Sequence, residues 1–327
     1  MAINKTAAAY LSYFAYIDDA LSVVLTSDFT TYLSQVPAGA ANGPWTLCWG
    51  PAVNDGVLAY VAKGADGSYA LAFRGTDVDG SISGTLGNVD ADIDALQVPF
   101  LYPQQPAVQP PFAQPQISAG INGALALAIA ATDPVTDLSL LDYLRGVAKA
   151  GPIDLMVTGH SLGGALTVVA TAWLKDQIPK LEPLTVNLWP HTFAAPTMWN
   201  AAFASRFATD FTYYAAVNTN DVVPMGWADL GSVLETYQSP GPNLYNTDWL
   251  LYHAIELLKY TLLGYSPIAP TDKFTVQPVS NPSWTAEAGL MHSMQNVYFK
   301  YITGTAGPDL PGTTITGVAR PRRAAVI

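Results

Sequence analysis

The sequence predicts an α/β fold with a mostly parallel central sheet and helices on both faces, and three observations carry that expectation. Residues 154–169 read as a short buried strand, a sharp turn bearing one serine, and a helix of small and apolar residues. Other buried strand-like runs, at 184–189 and 211–217, alternate with helical stretches. Half of the 327 residues are hydrophobic and only 12% are charged, enough apolar surface for a core on each side of a sheet.

No linker splits the chain into self-sufficient halves, so one domain spanning 1–327 is expected. A net charge of -11 argues against nucleic-acid binding, which needs clustered lysine and arginine. The one basic cluster, Arg320, Arg322 and Arg323, falls in a tail, 304–327, expected to be flexible. Cys48 is the sole cysteine, which rules out an internal disulfide and a cysteine-based metal cluster. Residues 156–174 lack charge, but glycines and a histidine interrupt them, so no transmembrane segment is expected. Lys5 precedes an apolar run of signal-peptide length that carries three tyrosines and no evident cleavage site. A soluble protein is expected, either cytoplasmic or secreted without an evident signal peptide.

Taken in order, Tyr10, Phe14, Ile17, Leu21 and Val24 recur at helical spacing and predict an amphipathic helix packed on the body. After a loop at 36–44, strands are expected at 46–49, 57–62 and 69–73, the last two joined as a hairpin through 63–67. The stretch 77–98 is a flap candidate, its glycine- and serine-rich part interleaved with Ile82 and Leu86. Asn88, Asp90, Asp92 and Asp94 mimic the start of a calcium loop but lack its glycine and closing glutamate, so no metal is assigned. Six prolines make 99–115 an extended connection. Helices are expected at 117–131, 135–150 and 249–263, an irregular stretch or hairpin at 274–284, and a last helix at 293–302.

The turn at 159–163 is spelled Gly-His-Ser-Leu-Gly, and on a strand-to-helix junction that spelling is a nucleophile elbow. Ser161 at so tight a tip takes a strained backbone, and its neighbours two before and two after press on strand and helix, where glycine fits. The helix that follows aims its N-terminal N–H groups at any charge forming on a bound carbonyl, which makes Leu162 an oxyanion donor.

Serine needs a histidine base, and the histidine needs a carboxylate. In the order Ser, Asp, His, His191 comes too early, and His253 sits inside a helix among leucines. His292, at a loop-to-helix junction, is the candidate base. Asp221 leaves the C-terminal end of a strand, whereas Asp210 precedes that strand and Asp229 lies further on. His160 is read as structural, pointing down into the turn. A second oxyanion donor is expected from the loop after strand 69–73, at Thr76. Val222, Val223 and Met225 join Ile82 and Leu86 as candidate contacts for an apolar substrate.

Taken together, residues 73–76 (Phe-Arg-Gly-Thr), 88–92, 158–164, 192–196 with Asn200, 220–224 and 292–293 resemble the class 3 lipases, the filamentous-fungal type of α/β hydrolase, in order and approximate spacing. The resemblance implies hydrolysis of lipid or other esters by Ser161, Asp221 and His292, with Thr76 and Leu162 as the oxyanion hole. It also implies a lid over an acyl-binding cleft, action at a lipid–water interface, and no cofactor. The segment 76–88 is richer in glycine than the family's short helical lid. Feruloyl esterases and phospholipases A1 share this machinery, and a non-catalytic lipase-like scaffold is the alternative from another class.

Overall fold

Residues 4–17, 22–75, 95–100, 114–178, 184–237, 241–261, 264–279 and 281–311 are described by the computed structural model. Helices α1 (Lys5–Phe14) and α2 (Ser22–Ser34) come first. The side chain of Asn4 caps α1 by accepting from the Ala7 N–H at 2.9 Å. The single N-terminal helix expected from the Tyr10–Val24 spacing is therefore two helices.

Strands β1 (Trp45–Asn54), β2 (Val57–Gly64) and β3 (Tyr69–Phe73) follow as an antiparallel meander. Strands β4 (Gln97–Pro99) and β5 (Gln116–Ser118) form a separate antiparallel pair. Helices α3 (Ala119–Ala130) and α4 (Leu140–Ala148) start later than expected because Ser118 and Ser139 cap them, their hydroxyls accepting from the N–H groups of Ile121 and Asp142. Next come β6 (Ile153–His160), α5 (Leu162–Gln177), β7 (Val186–Phe193), α6 (Ala201–Asp210), β8 (Tyr214–Asn218), α7 (Leu230–Glu235), α8 (Leu244–Thr247), α9 (Trp249–Thr261) and β9 (Asp272–Phe274). Helix α10 (Trp284–Met291), a π-helical turn (Met294–Tyr298) and α11 (Phe299–Thr303) complete the described chain.

The seven-stranded sheet runs β1-β2-β3-β6-β7-β8-β9, and every pairing from β3 to β9 is parallel. This is the mostly parallel sheet with helices on both faces that the alternation of buried strands and helices predicts. Leu71, Phe73, Leu155 and Val157 pack on the α3, α5 and α6 side with Ala165, Leu166 and Phe203. Ala70, Ala72, Met156, Phe193 and Tyr214 pack on the other, with α1, α2 and the π-helical turn. Period-two alternation along each strand sends neighbouring residues to opposite cores.

The expected tail is in part packed. Tyr13 donates through its hydroxyl to the carbonyl of Pro308 at 2.5 Å, and Leu310 is buried. Among the described residues no helix is long and apolar enough to cross a membrane.

Candidate active site

Three strand ends define the site. The register pairs Phe73 with Gly159 and His160 with Phe193, which brings the ends of β3, β6 and β7 level. Ser161 leaves β6 with φ 59 and ψ -130, the left-handed strain expected at an elbow. A Cβ on Gly159 would collide with the carbonyl of Gly163, and one on Gly163 with the carbonyl of Phe73, so strand, turn and helix close on each other only with glycine there. Leu162 opens α5, where backbone N–H groups have no intrahelical acceptor.

Asp221 and His292 meet across 71 residues of chain, Nδ1 of the imidazole lying 2.8 Å from Oδ2 of the carboxylate. Asp221 is fully buried and His292 nearly so. A carboxylate only accepts, so His292 carries a proton on Nδ1, and Nε2 is the ring nitrogen turned away from the acid. That Nε2 is buried and hydrogen-bonds to none of the described residues, Ser161 included. The serine nevertheless lies beside the imidazole's support, because its chain neighbour His160 has its ring 4.5 Å from that of His292.

The carboxylate is held by more than the histidine. Oδ1 accepts from the Val223 N–H at 2.9 Å, and Oδ2 also accepts from the Tyr298 hydroxyl at 2.7 Å. Tyr298 in turn accepts from the Asn218 N–H at 3.0 Å. Burial first, then the charge of Asp221, push the Tyr298 phenol well above its ordinary value, so it stays a donor. Sequence reasoning missed Tyr298: a tyrosine in an apolar helical run reads as core, and no local pattern announces a partner 77 residues away.

Two further side chains clamp the backbone that carries His292. The Nδ2 of Asn218 donates to the carbonyl of Met291 at 3.1 Å. His160 bonds the carbonyl of His292 through Nε2 at 2.9 Å, so Nε2 bears the proton and Nδ1 accepts from the Tyr16 hydroxyl at 2.7 Å. Burial, with the neighbouring His292 ring second, pushes His160 well below the ordinary histidine value, which fits a neutral structural imidazole. The side chain is buried against Tyr16 and His292.

The remaining candidates are placed as follows. Thr76, Ile82 and Leu86 lie outside the described residues, as do Asn88–Asp94, most of the flap and the basic cluster at 320–323. The residue before Thr76 is described: a Cβ on Gly75 would come within 3.0 Å of Ser161 Cβ, so the end of β3 reaches the serine. Val222 and Val223 are buried in the α5-side core, and Met225 lines a largely apolar cavity of about 340 Å³ that also touches Asp221. His253 is exposed on α9, its ring 4.5 Å from that of Trp249.

Residues 70–229 match the model of the family Lipase (class 3), a stretch that holds the elbow, Ser161 and Asp221. Over that stretch, just under half of the chain, the sequence is similar to the class 3 lipases. The crystal structure of M37 lipase superposes with a TM-score of 0.74 at 22% identity, over 93% of each chain, and shares the fold. Rhizomucor miehei triacylglyceride lipase aligns over 68% of this chain and 71% of its own at 21% identity and a TM-score of 0.46. Lipase II from Rhizopus niveus aligns over 68% and 72% at the same identity and TM-score. No curated protein sequence matches.

Proposed function

We propose that the protein hydrolyses carboxylic esters of the acyl-glycerol type through Ser161, His292 and Asp221, as one domain in which both sheet faces serve one site. The observation that carries the reading is the buried 2.8 Å contact between Nδ1 of His292 and Asp221, beside a strained serine at the tip of a strand-to-helix turn. In the reaction Ser161 Oγ attacks the ester carbonyl carbon while Nε2 of His292 takes the hydroxyl proton. The oxyanion faces the N–H of Leu162 at the start of α5, with the N–H of Thr76 as its second donor. The acyl carbon–oxygen bond then breaks, His292 protonates the departing alcohol, and water repeats the sequence to free the acid and restore the serine. Closing the last gap between Nε2 and Oγ accords with catalytic hydrogen bonds that tighten only once substrate is bound.

Ser161→Ala is expected to lower kcat on a p-nitrophenyl ester by roughly 10⁶-fold and to abolish labelling by a fluorophosphonate. Turnover that survives the substitution would end the proposal. Rates on triacylglycerols, phospholipids and feruloyl sugars then rank the ester classes; fastest cleavage of feruloyl sugars would overturn the acyl-glycerol assignment.

A further inference from the structure

Helix α9 is apolar on two opposite sides. Ile255 is buried, and Leu251, Tyr252 and Leu258 pack with it on the α5-side core. On the outer side Trp249, Leu250, Leu257 and Tyr260 are 54, 74, 68 and 71% exposed, and Tyr245 of α8 is exposed beside them. Leu250, His253, Leu257 and Tyr260 follow one another at spacings of three, four and three residues, so they form one stripe. Single exposed apolar side chains are ordinary, but a contiguous stripe marks a contact surface.

We propose that this face of α9 docks the protein on an uncharged lipid surface. The residue types fit the boundary between water and hydrocarbon, with Leu250 and Leu257 along the stripe, His253 between them, and Trp249 and Tyr260 at its ends, where amphipathic rings anchor. Charge decides the kind of lipid. Lys259 is the one lysine or arginine on the helix, and the chain carries a net charge of -11, so an anionic bilayer repels it and a zwitterionic or glyceride surface does not. Size argues against a second copy of this chain. A helix of 13 residues is about 20 Å long and about 10 Å wide, a footprint of about 200 Å², whereas a stable dimer buries about 800 Å² on each partner. A fluid lipid surface sets no such minimum, because it closes around whatever side chains enter. Helix α9 contacts α7, which follows the loop that carries Asp221 in the chain. The use of such docking rests on the ester-hydrolase reading, but the docking is measurable without turnover.

The test is flotation of the full chain with phosphatidylcholine vesicles, compared with vesicles containing phosphatidylglycerol. The wild type is expected to float with phosphatidylcholine, less with the anionic mixture, and with little dependence on salt. Leu250→Glu with Leu257→Glu should weaken that partition by about tenfold or more, while hydrolysis of a dissolved short-chain ester stays as in the wild type and reports an intact fold. Tyr260→Ser probes the other end of the stripe should the double variant not fold. Equal flotation of wild type and variants overturns the proposal, as does preferential, salt-sensitive binding to the anionic vesicles. A wild-type dimer that the double substitution splits, without vesicle binding, assigns the face to a second copy instead. Flotation lost in the variants of a chain that hydrolyses no ester would keep the docking and remove the enzymatic reading.

Discussion

On the α5 side the sheet meets hydrocarbon, with Leu71, Phe73, Leu155 and Val157 against Ala165, Leu166 and Val169. On the α1 side the sheet presents Thr158, His160, His191 and Asn218, all buried. Thr158 shares a 2.7 Å hydrogen bond with Ser12 of α1, while His160 and Asn218 hold the peptides around His292. The contrast separates two jobs. Tight apolar packing fixes the strand-to-helix turn that presents the serine, and directed hydrogen bonds fix the acid and the imidazole. Substitutions on the first face should therefore act through stability, and those at the hydrogen bonds around Asp221 and His292 through turnover.

The largest effect is expected at Asp221. In Asp221→Asn the group at Oδ2 must accept from both His292 and Tyr298, while Oδ1 must accept from the Val223 N–H. An amide cannot do both, because either orientation sets its NH₂ against a donor. The imidazole then takes the wrong tautomer, and kcat on a soluble ester should fall by about 10⁴-fold. A loss of only a few-fold would place the acid elsewhere.

Leu166→Ala tests the other face. The side chain, on the elbow helix itself, is fully buried, and removing it should cost about 2–5 kcal/mol, read from the denaturant midpoint. The folded fraction should keep its kcat; a variant that stays stable yet slow would erase the distinction between the faces.

His191 sharpens the comparison from the polar side through pH. Burial pushes it down from 6.5 to about 4, against the hydrogen bond from Nδ1 to the carbonyl of Trp189. The unfolded chain therefore binds a proton between those values that the folded chain refuses. Its contribution is intact above pH 6.5 and is lost as pH falls, at up to ~1.4 kcal/mol per unit, or about 3 kcal/mol by the lower end of the window. His160, also depressed, acts with the same sign. His191→Gln should flatten the decline of stability over this window without changing kcat at neutral pH. An unchanged slope would remove His191 from the account.

What was legible in the sequence follows the same division. The elbow is local: a buried strand, two glycines and an apolar helix lie within about twenty residues of one another, so spelling alone put Ser161 at a strained turn and Leu162 at the start of a helix, as they are in the fold. The order of residues then led to Asp221 and His292, which the fold joins by a hydrogen bond. Helix α6 went unread although Asn200 caps it and Phe203 and Phe207 recur a turn apart, because its alanines and serine resemble the loop before it. The N-terminal helix was read through to Val24, yet α1 ends at Phe14 and Tyr16 is left free of the helix to meet His160. Contacts of that kind, like Asn218 with Met291, join segments with no shared pattern, and only the folded chain displays them.

Tyr298 offers the finest cut between the two jobs. In Tyr298→Phe the ring can keep its place in the core, but Oδ2 of Asp221 loses one of two donors and the buried Asn218 N–H loses its acceptor. The orphaned N–H should lower stability by about 1–3 kcal/mol. If the phenol orients the acid, kcat should fall as well, by roughly tenfold with KM unchanged, since one hydrogen bond to a charged group contributes on the order of 1.5–3 kcal/mol and only part of it bears on the transition state. A filler role predicts the stability loss alone. The decisive reading is thus kcat of the fully folded variant: if it matches the wild type, Val223 and His292 suffice to hold the carboxylate, and the hydrogen-bonded face reduces to its clamp on the backbone of His292.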